Sequence, residues 1–67
     1  MTILSDVEAA LPEEFMHPSE IRSLAGLWSY ESVRRALVQL HRVGKAERVL
    51  LGHYLYRRAR LPQQRAA

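Results

Sequence analysis

The sequence predicts a small α+β domain, mostly helical, in which three helices are followed by a β-hairpin. Three observations support this prediction. Apolar residues recur at helical spacing in three stretches before Gly44, and proline or glycine separates the stretches. After Gly44 the pattern changes to two short runs rich in β-branched, aromatic and leucine residues. The 67 residues include no cysteine, so we expect one domain held by its apolar core without disulfides.

The first helix is predicted to begin after Thr2, which can cap it, and to end before Pro12. Its apolar positions follow helical spacing and are Ile3, Leu4, Val7, Ala10 and Leu11. The next apolar pair, Phe15-Met16, is predicted to form a very short strand, with Phe15 in the core.

The second helix is predicted to start at Pro18, because proline in the first helical position sacrifices no hydrogen bond. His17 precedes it as an uncommon cap. The helix runs for about two turns, with Ile21, Leu24 and Ala25 as its apolar positions, and Gly26 ends it.

The third helix is predicted over residues 29–43, with Ser29 as its cap and Gly44 closing its last turn. Its buried face is predicted to consist of Val33, Ala36, Leu37, Leu40 and Val43. The residues predicted to project away from that face are Glu31, Arg34, Arg35, Val38 and Arg42. A glycine-containing turn thus joins two helices as in a helix-turn-helix, whose second helix enters the major groove of DNA.

The hairpin is predicted over residues 45–58, with its turn at or beside Gly52-His53. Tyr54 and Tyr56 share one face because side chains alternate along a strand. Which tyrosine is buried stays open at this point. We assign residues 1–60 to the domain and predict that residues 61–67 form a flexible basic tail.

Charge is divided unevenly along the chain. The net charge is +3, but residues 1–31 carry −5 and residues 32–67 carry +8. A domain with one basic half attracts polyanions such as nucleic acid or an anionic membrane surface.

Several functional classes lack their sequence motifs. There is no secretory leader and no apolar run long enough to span a membrane, so we expect a cytoplasmic protein with no membrane partner. The three histidines lack zinc-ligand spacing, and neither a phosphate-binding loop nor a nucleophile elbow is present. We therefore expect no enzyme activity, no cofactor and no metal site.

The stretch from residue 21 to residue 49 resembles the winged helix-turn-helix domains of bacterial and phage regulators. The resemblance is carried by Leu24-Ala25 and Gly26, by Ser29 followed by Val33, by Ala36-Leu37 with Leu40, and by Gly44 before the wing strands. It extends over about residues 3–58. The turn from Gly26 to Ser29 is about one residue longer than the common form, which affects the register of base-contacting positions.

The resemblance implies that residues 29–43 form a recognition helix in the major groove and that residues 45–58 form a wing on the backbone or minor groove. The residues it places at base edges are Ser29, Tyr30, Glu31, Arg34, Arg35 and Val38. Arginine reads guanine bidentately, whereas Glu31 either accepts from cytosine or, more commonly, orients an arginine. Val38 meets a thymine methyl or a dimer partner, or is simply exposed. The residues assigned to backbone and wing contacts are Arg42, Arg48, His53, Arg57, Arg58 and Arg60.

These observations predict sequence-specific binding of double-stranded DNA by a small transcriptional regulator or a mobile-element accessory factor, acting as a homodimer on an inverted repeat. The alternative is a winged-helix interaction module that binds another protein. In that case an exposed apolar patch at Val38, Trp28, Tyr30 or the first helix provides the contact.

Overall fold

The computed structural model describes residues 2–60. The element order is α1 (Ile3–Ala10), α2 (Pro18–Ala25), α3 (Tyr30–Arg42), β1 (Ala46–Leu51) and β2 (His53–Arg58). This is the predicted α+β, mostly helical architecture, and it is consistent with a winged helix layout. The predicted tail, residues 61–67, lies outside the described residues.

Local capping fixes where the two short helices begin. The Thr2 hydroxyl accepts a hydrogen bond from the Ser5 N–H at 3.2 Å, and the Ser5 hydroxyl accepts one from the Thr2 N–H at 3.3 Å. Nδ1 of His17 accepts from the Ser19 N–H at 3.1 Å. Each bond satisfies a backbone donor that the first helical turn leaves free. The unusual histidine cap is thus confirmed.

Helix α3 lies between Ser29 and Gly44, the two residues from which its ends were predicted. The Ser29 hydroxyl accepts from the Ser32 N–H at 3.2 Å. At the other end Gly44 adopts a φ of +87°, and the Lys45 N–H donates to the Leu40 carbonyl at 2.8 Å. That bond closes the last turn in the manner of a Schellman motif.

Strands β1 and β2 pair antiparallel in the register Arg48 opposite Tyr56, with Gly52 at a φ of +77° in the turn. We call this hairpin the wing. Met16 forms an isolated antiparallel bridge to Tyr56, through backbone hydrogen bonds of 3.0 Å in both directions. Tyr56 is the buried tyrosine, and Tyr54 is exposed. The inner face of the wing, which packs on the helices, is therefore the one that carries Tyr56 and Arg48.

One core, to which the three helices and both strands contribute, holds these elements together. Its members are Val7, Leu11, Ile21, Val33, Ala36, Leu37, Leu40, Ala46 and Tyr56. Trp28 packs against the core, and its indole N–H donates to a carboxylate oxygen of Asp6 at 2.9 Å. This bond ties the turn before α3 to α1.

Several residues predicted at the apolar positions of the helices and at the short strand lie outside the core, and Leu4 of α1 is 39% exposed. Val43 is 57% exposed because α3 ends at Arg42 and Val43 adopts the backbone of a cap rather than a helical turn. Leu24 is 59% exposed, since Pro18 and Ile21 are the residues of α2 that are buried. Phe15 lies at the margin, where the guanidinium of Arg57 stacks on its ring at 4.2 Å from the centroid.

Candidate nucleic-acid interface

The outward side of α3 carries two arginines that share one carboxylate. Oε2 of Glu31 lies 2.9 Å from Nη2 of Arg34 and 3.4 Å from Nε of Arg35. The hydrogen bond from Arg34 holds the pKa of the Glu31 carboxyl below its usual value. The Arg34 and Arg35 side chains remain 47% and 78% exposed. Of the two sequence interpretations of Glu31, the structure matches the one in which it orients neighbouring arginines.

Arg42 extends this surface along the helix. It follows Arg35 by seven residues, which is close to two helical turns, so both side chains leave α3 on the same side. Arg42 is exposed, and no carboxylate among residues 2–60 lies within ion-pair distance of it.

Arg48 brings a fourth guanidinium toward α3 from the wing. It lies opposite the buried Tyr56, on the inner face, and its guanidinium carbon stacks over the Tyr54 ring at 4.3 Å from the centroid. Interaction with the side chain of Tyr56, its cross-strand partner, raises the pKa of Arg48. Two aromatic side chains thus fix the position of a permanently charged group. We call Arg34, Arg35, Arg42 and Arg48 the basic face.

A groove of about 430 Å³ separates α3 from the inner face of the wing. One wall is formed by Tyr30, Arg34 and Val38, and the other by Arg48, Leu50 and Tyr54. We call it the α3–wing groove. Val38 therefore lines the groove rather than standing alone on the outward side of α3. None of the described residues that line the groove is acidic.

Two histidines close one end of the groove. The His17 ring lies nearly parallel to that of Tyr30, with planes 15° apart and centroids 6.5 Å apart. The His53 ring meets His17 edge-on at a centroid distance of 5.3 Å. His53 was predicted as a wing contact. His17 was predicted only as a helix cap, because nothing in the local residue pattern indicates that the wing turn reaches it.

Ser29 and Tyr30 lie at the start of α3. The Ser29 hydroxyl is occupied by the cap, where it also donates to the Ser32 hydroxyl at 2.9 Å. Tyr30 is 40% exposed at the wall of the groove. Of these two residues, Tyr30 therefore has the side chain that is available to a ligand.

The wing arginines near the end of the domain do not extend the basic face. Arg57 is on the outer face of the wing, opposite Glu47, and its Nε lies 2.8 Å from Oε1 of that residue. Arg58 donates to the carbonyl oxygens of Leu11 at 3.1 Å and Ala9 at 3.4 Å. These carbonyls lie at the end of α1, where a cation is favourable.

Arg60 also belongs to the Glu47 side of the wing. Its backbone N–H donates to Oε2 of Glu47 at 3.3 Å. The bonds from Arg57 and Arg60 together lower the pKa of the Glu47 carboxyl. Arg57 and Arg58, which were predicted as wing contacts, therefore do not continue the basic face, because alternation along β2 turns Arg57 away from α3 and Arg58 is held at the end of α1.

No group of histidine, cysteine and acidic side chains among residues 2–60 is arranged to hold a metal ion. Within the same part of the chain, no helix has the length and apolar character needed to cross a membrane. Comparison with protein-family models gave no match, and neither curated proteins nor solved structures gave one.

Proposed function

We propose that this protein binds double-stranded DNA sequence-specifically as a small regulator of transcription or an accessory factor of a mobile element. In this proposal α3 enters the major groove, the wing lies along the backbone, and two copies bind an inverted repeat. The cellular location that goes with this role is the cytoplasm.

The observation that carries the proposal is the basic face. Three of its four guanidinium groups leave one side of a single helix, and the fourth faces the same helix from the wing. A recognition helix needs cations that remain available to phosphates and base edges. Arg35 is the most exposed member of the Glu31 cluster, so we assign it the base contact and assign Arg48 a phosphate.

The structure also offers a surface to the alternative function. Leu27 in the turn before α3 is fully exposed, and Leu24 at the end of α2 is 59% exposed. A contiguous apolar patch on the surface is typical of a protein-binding site. The charge of the basic face favours DNA over this second candidate.

Selection from a random duplex library, followed by fluorescence anisotropy on the recovered sequence over a salt series, tests the proposal. Phosphate contacts by Arg34, Arg42 and Arg48 in each of two copies give a slope of log K against log salt of about −5 for the dimer. A recovered palindromic motif with such a slope supports DNA binding by a dimer. Failure to enrich any sequence, or a flat slope on a recovered sequence, contradicts it.

A further inference from the structure

We propose that the α3–wing groove is a binding site for one unpaired nucleotide next to the duplex. The inference rests on the proposed function and deepens it, because it adds a single-stranded element to the DNA recognised. The volume of about 430 Å³ lies within the range of pockets that hold small ligands.

The charge of the groove fits a nucleotide. Arg34 and Arg48 stand on opposite walls. Among the described ion pairs, the one that involves a lining residue joins Arg34 to Glu31, which does not itself line the groove. A phosphate at the mouth of the groove therefore meets two permanent cations, and such positively charged grooves follow the backbone of single strands.

The side chains inside the groove fit a base. Tyr30 and Tyr54 are 40% and 46% exposed, so both rings present surface to a ligand. The His17 ring lies nearly parallel to that of Tyr30, with centroids 6.5 Å apart, and adds a further aromatic side chain to the lining of the groove. Base stacking on aromatic side chains is the usual source of affinity for unpaired nucleotides.

A paired duplex cannot use these rings. Its bases are stacked on one another and present only their edges in the grooves. The flat faces that aromatic side chains recognise become available only where a base is unpaired, as at a single-stranded tail, a fork or an extruded nucleotide. The aromatic lining thus distinguishes an unpaired nucleotide from the duplex that the basic face meets.

The test compares two forms of the selected duplex, one blunt and one with a tail of three thymidines, at either the 3′ or the 5′ end. Stacking of one base predicts at least about fivefold tighter binding of one tailed form. The variant Tyr54→Ala brings the ratio of tailed to blunt affinity close to one, whereas Tyr54→Phe keeps the gain because the ring remains. Arg35→Ala serves as the matched control and lowers both affinities by the same factor.

Equal affinity for tailed and blunt duplexes, or a gain that survives Tyr54→Ala, overturns the inference and leaves the proposed function standing. Absence of binding to either form overturns both. Circular dichroism establishes that each variant is folded. As a second measurement independent of folding changes, 5-iododeoxyuridine in the tail of the wild-type complex should photocrosslink to Tyr30 or Tyr54. Crosslinks located only outside the groove count against the inference.

Discussion

Because Arg48 and Arg57 lie on opposite faces of the wing, we expect their replacement to have different effects on the salt dependence of DNA binding. Arg48 is on the inner face, where its guanidinium stacks on Tyr54 and no carboxylate among residues 2–60 lies within ion-pair distance, so we expect its charge to be available to DNA. Arg57 is on the outer face with Glu47 at 2.8 Å. Replacing Arg48 by Ala should remove one phosphate contact and make the salt slope shallower by about 0.9. If the affinities are equal at 1 M salt, a change of 0.9 in the slope corresponds to about eightfold weaker binding at 0.1 M salt.

Replacing Arg57 by Ala should leave the salt slope unchanged and lower the thermal midpoint, because Glu47 and Phe15 both lose their partner. The assay is anisotropy from 0.05 to 0.4 M salt on one duplex, with thermal unfolding of each variant. A slope that becomes shallower in Arg57→Ala, with no change in Arg48→Ala, would refute the assignment of the faces.

Three further predictions concern Glu31, Leu37 and Glu47. Glu31→Gln should tighten binding to all duplexes, since Arg34 and Arg35 lose a competing anion; weaker binding in anisotropy would mean that Glu31 itself contacts DNA. Leu37→Ala should destabilise the fold by about 2–5 kcal/mol in urea unfolding, because this fully buried leucine lies in the single core; a loss below about 1 kcal/mol would contradict that placement. The lowered pKa of Glu47 adds stability that is present above its usual pKa of about 4.5 and lost as the pH falls toward its folded value. Acid titration of Glu47→Gln should therefore show a smaller loss of stability below pH 4.5 than the wild type, and equal losses would count against the Glu47 contact.

The elements were predictable because their boundaries are set locally. Thr2, Pro18 and Ser29 begin helices, Gly44 ends one, and Gly52 turns the hairpin, each through its own backbone or side-chain chemistry. Burial was less predictable. Periodicity placed Val43 on the apolar face of α3, but it cannot show that the helix ends one residue earlier.

The candidate site was predictable on α3 and less so on the wing. Helical spacing was enough to place Arg34, Arg35 and Arg42 on one side. The face to which each wing arginine belongs depends on the register of β1 and β2 and on which face of the hairpin packs on the helices. Alternation along β2 puts Tyr54 and Tyr56 on one face and Arg57 on the other, but only the packing of Tyr56 against the core determines which face is the inner one.

Contact between the basic face and DNA can be observed directly by an NMR titration of the isotope-labelled protein with the selected duplex, in which arginine Nε–H and backbone signals are followed together. We expect the Nε–H signals of Arg35 and Arg48 to shift strongly and those of Arg57 and Arg58 to remain in place. Shifts concentrated at Arg57 and Arg58, with α3 unchanged, would contradict the claim that the basic face meets DNA.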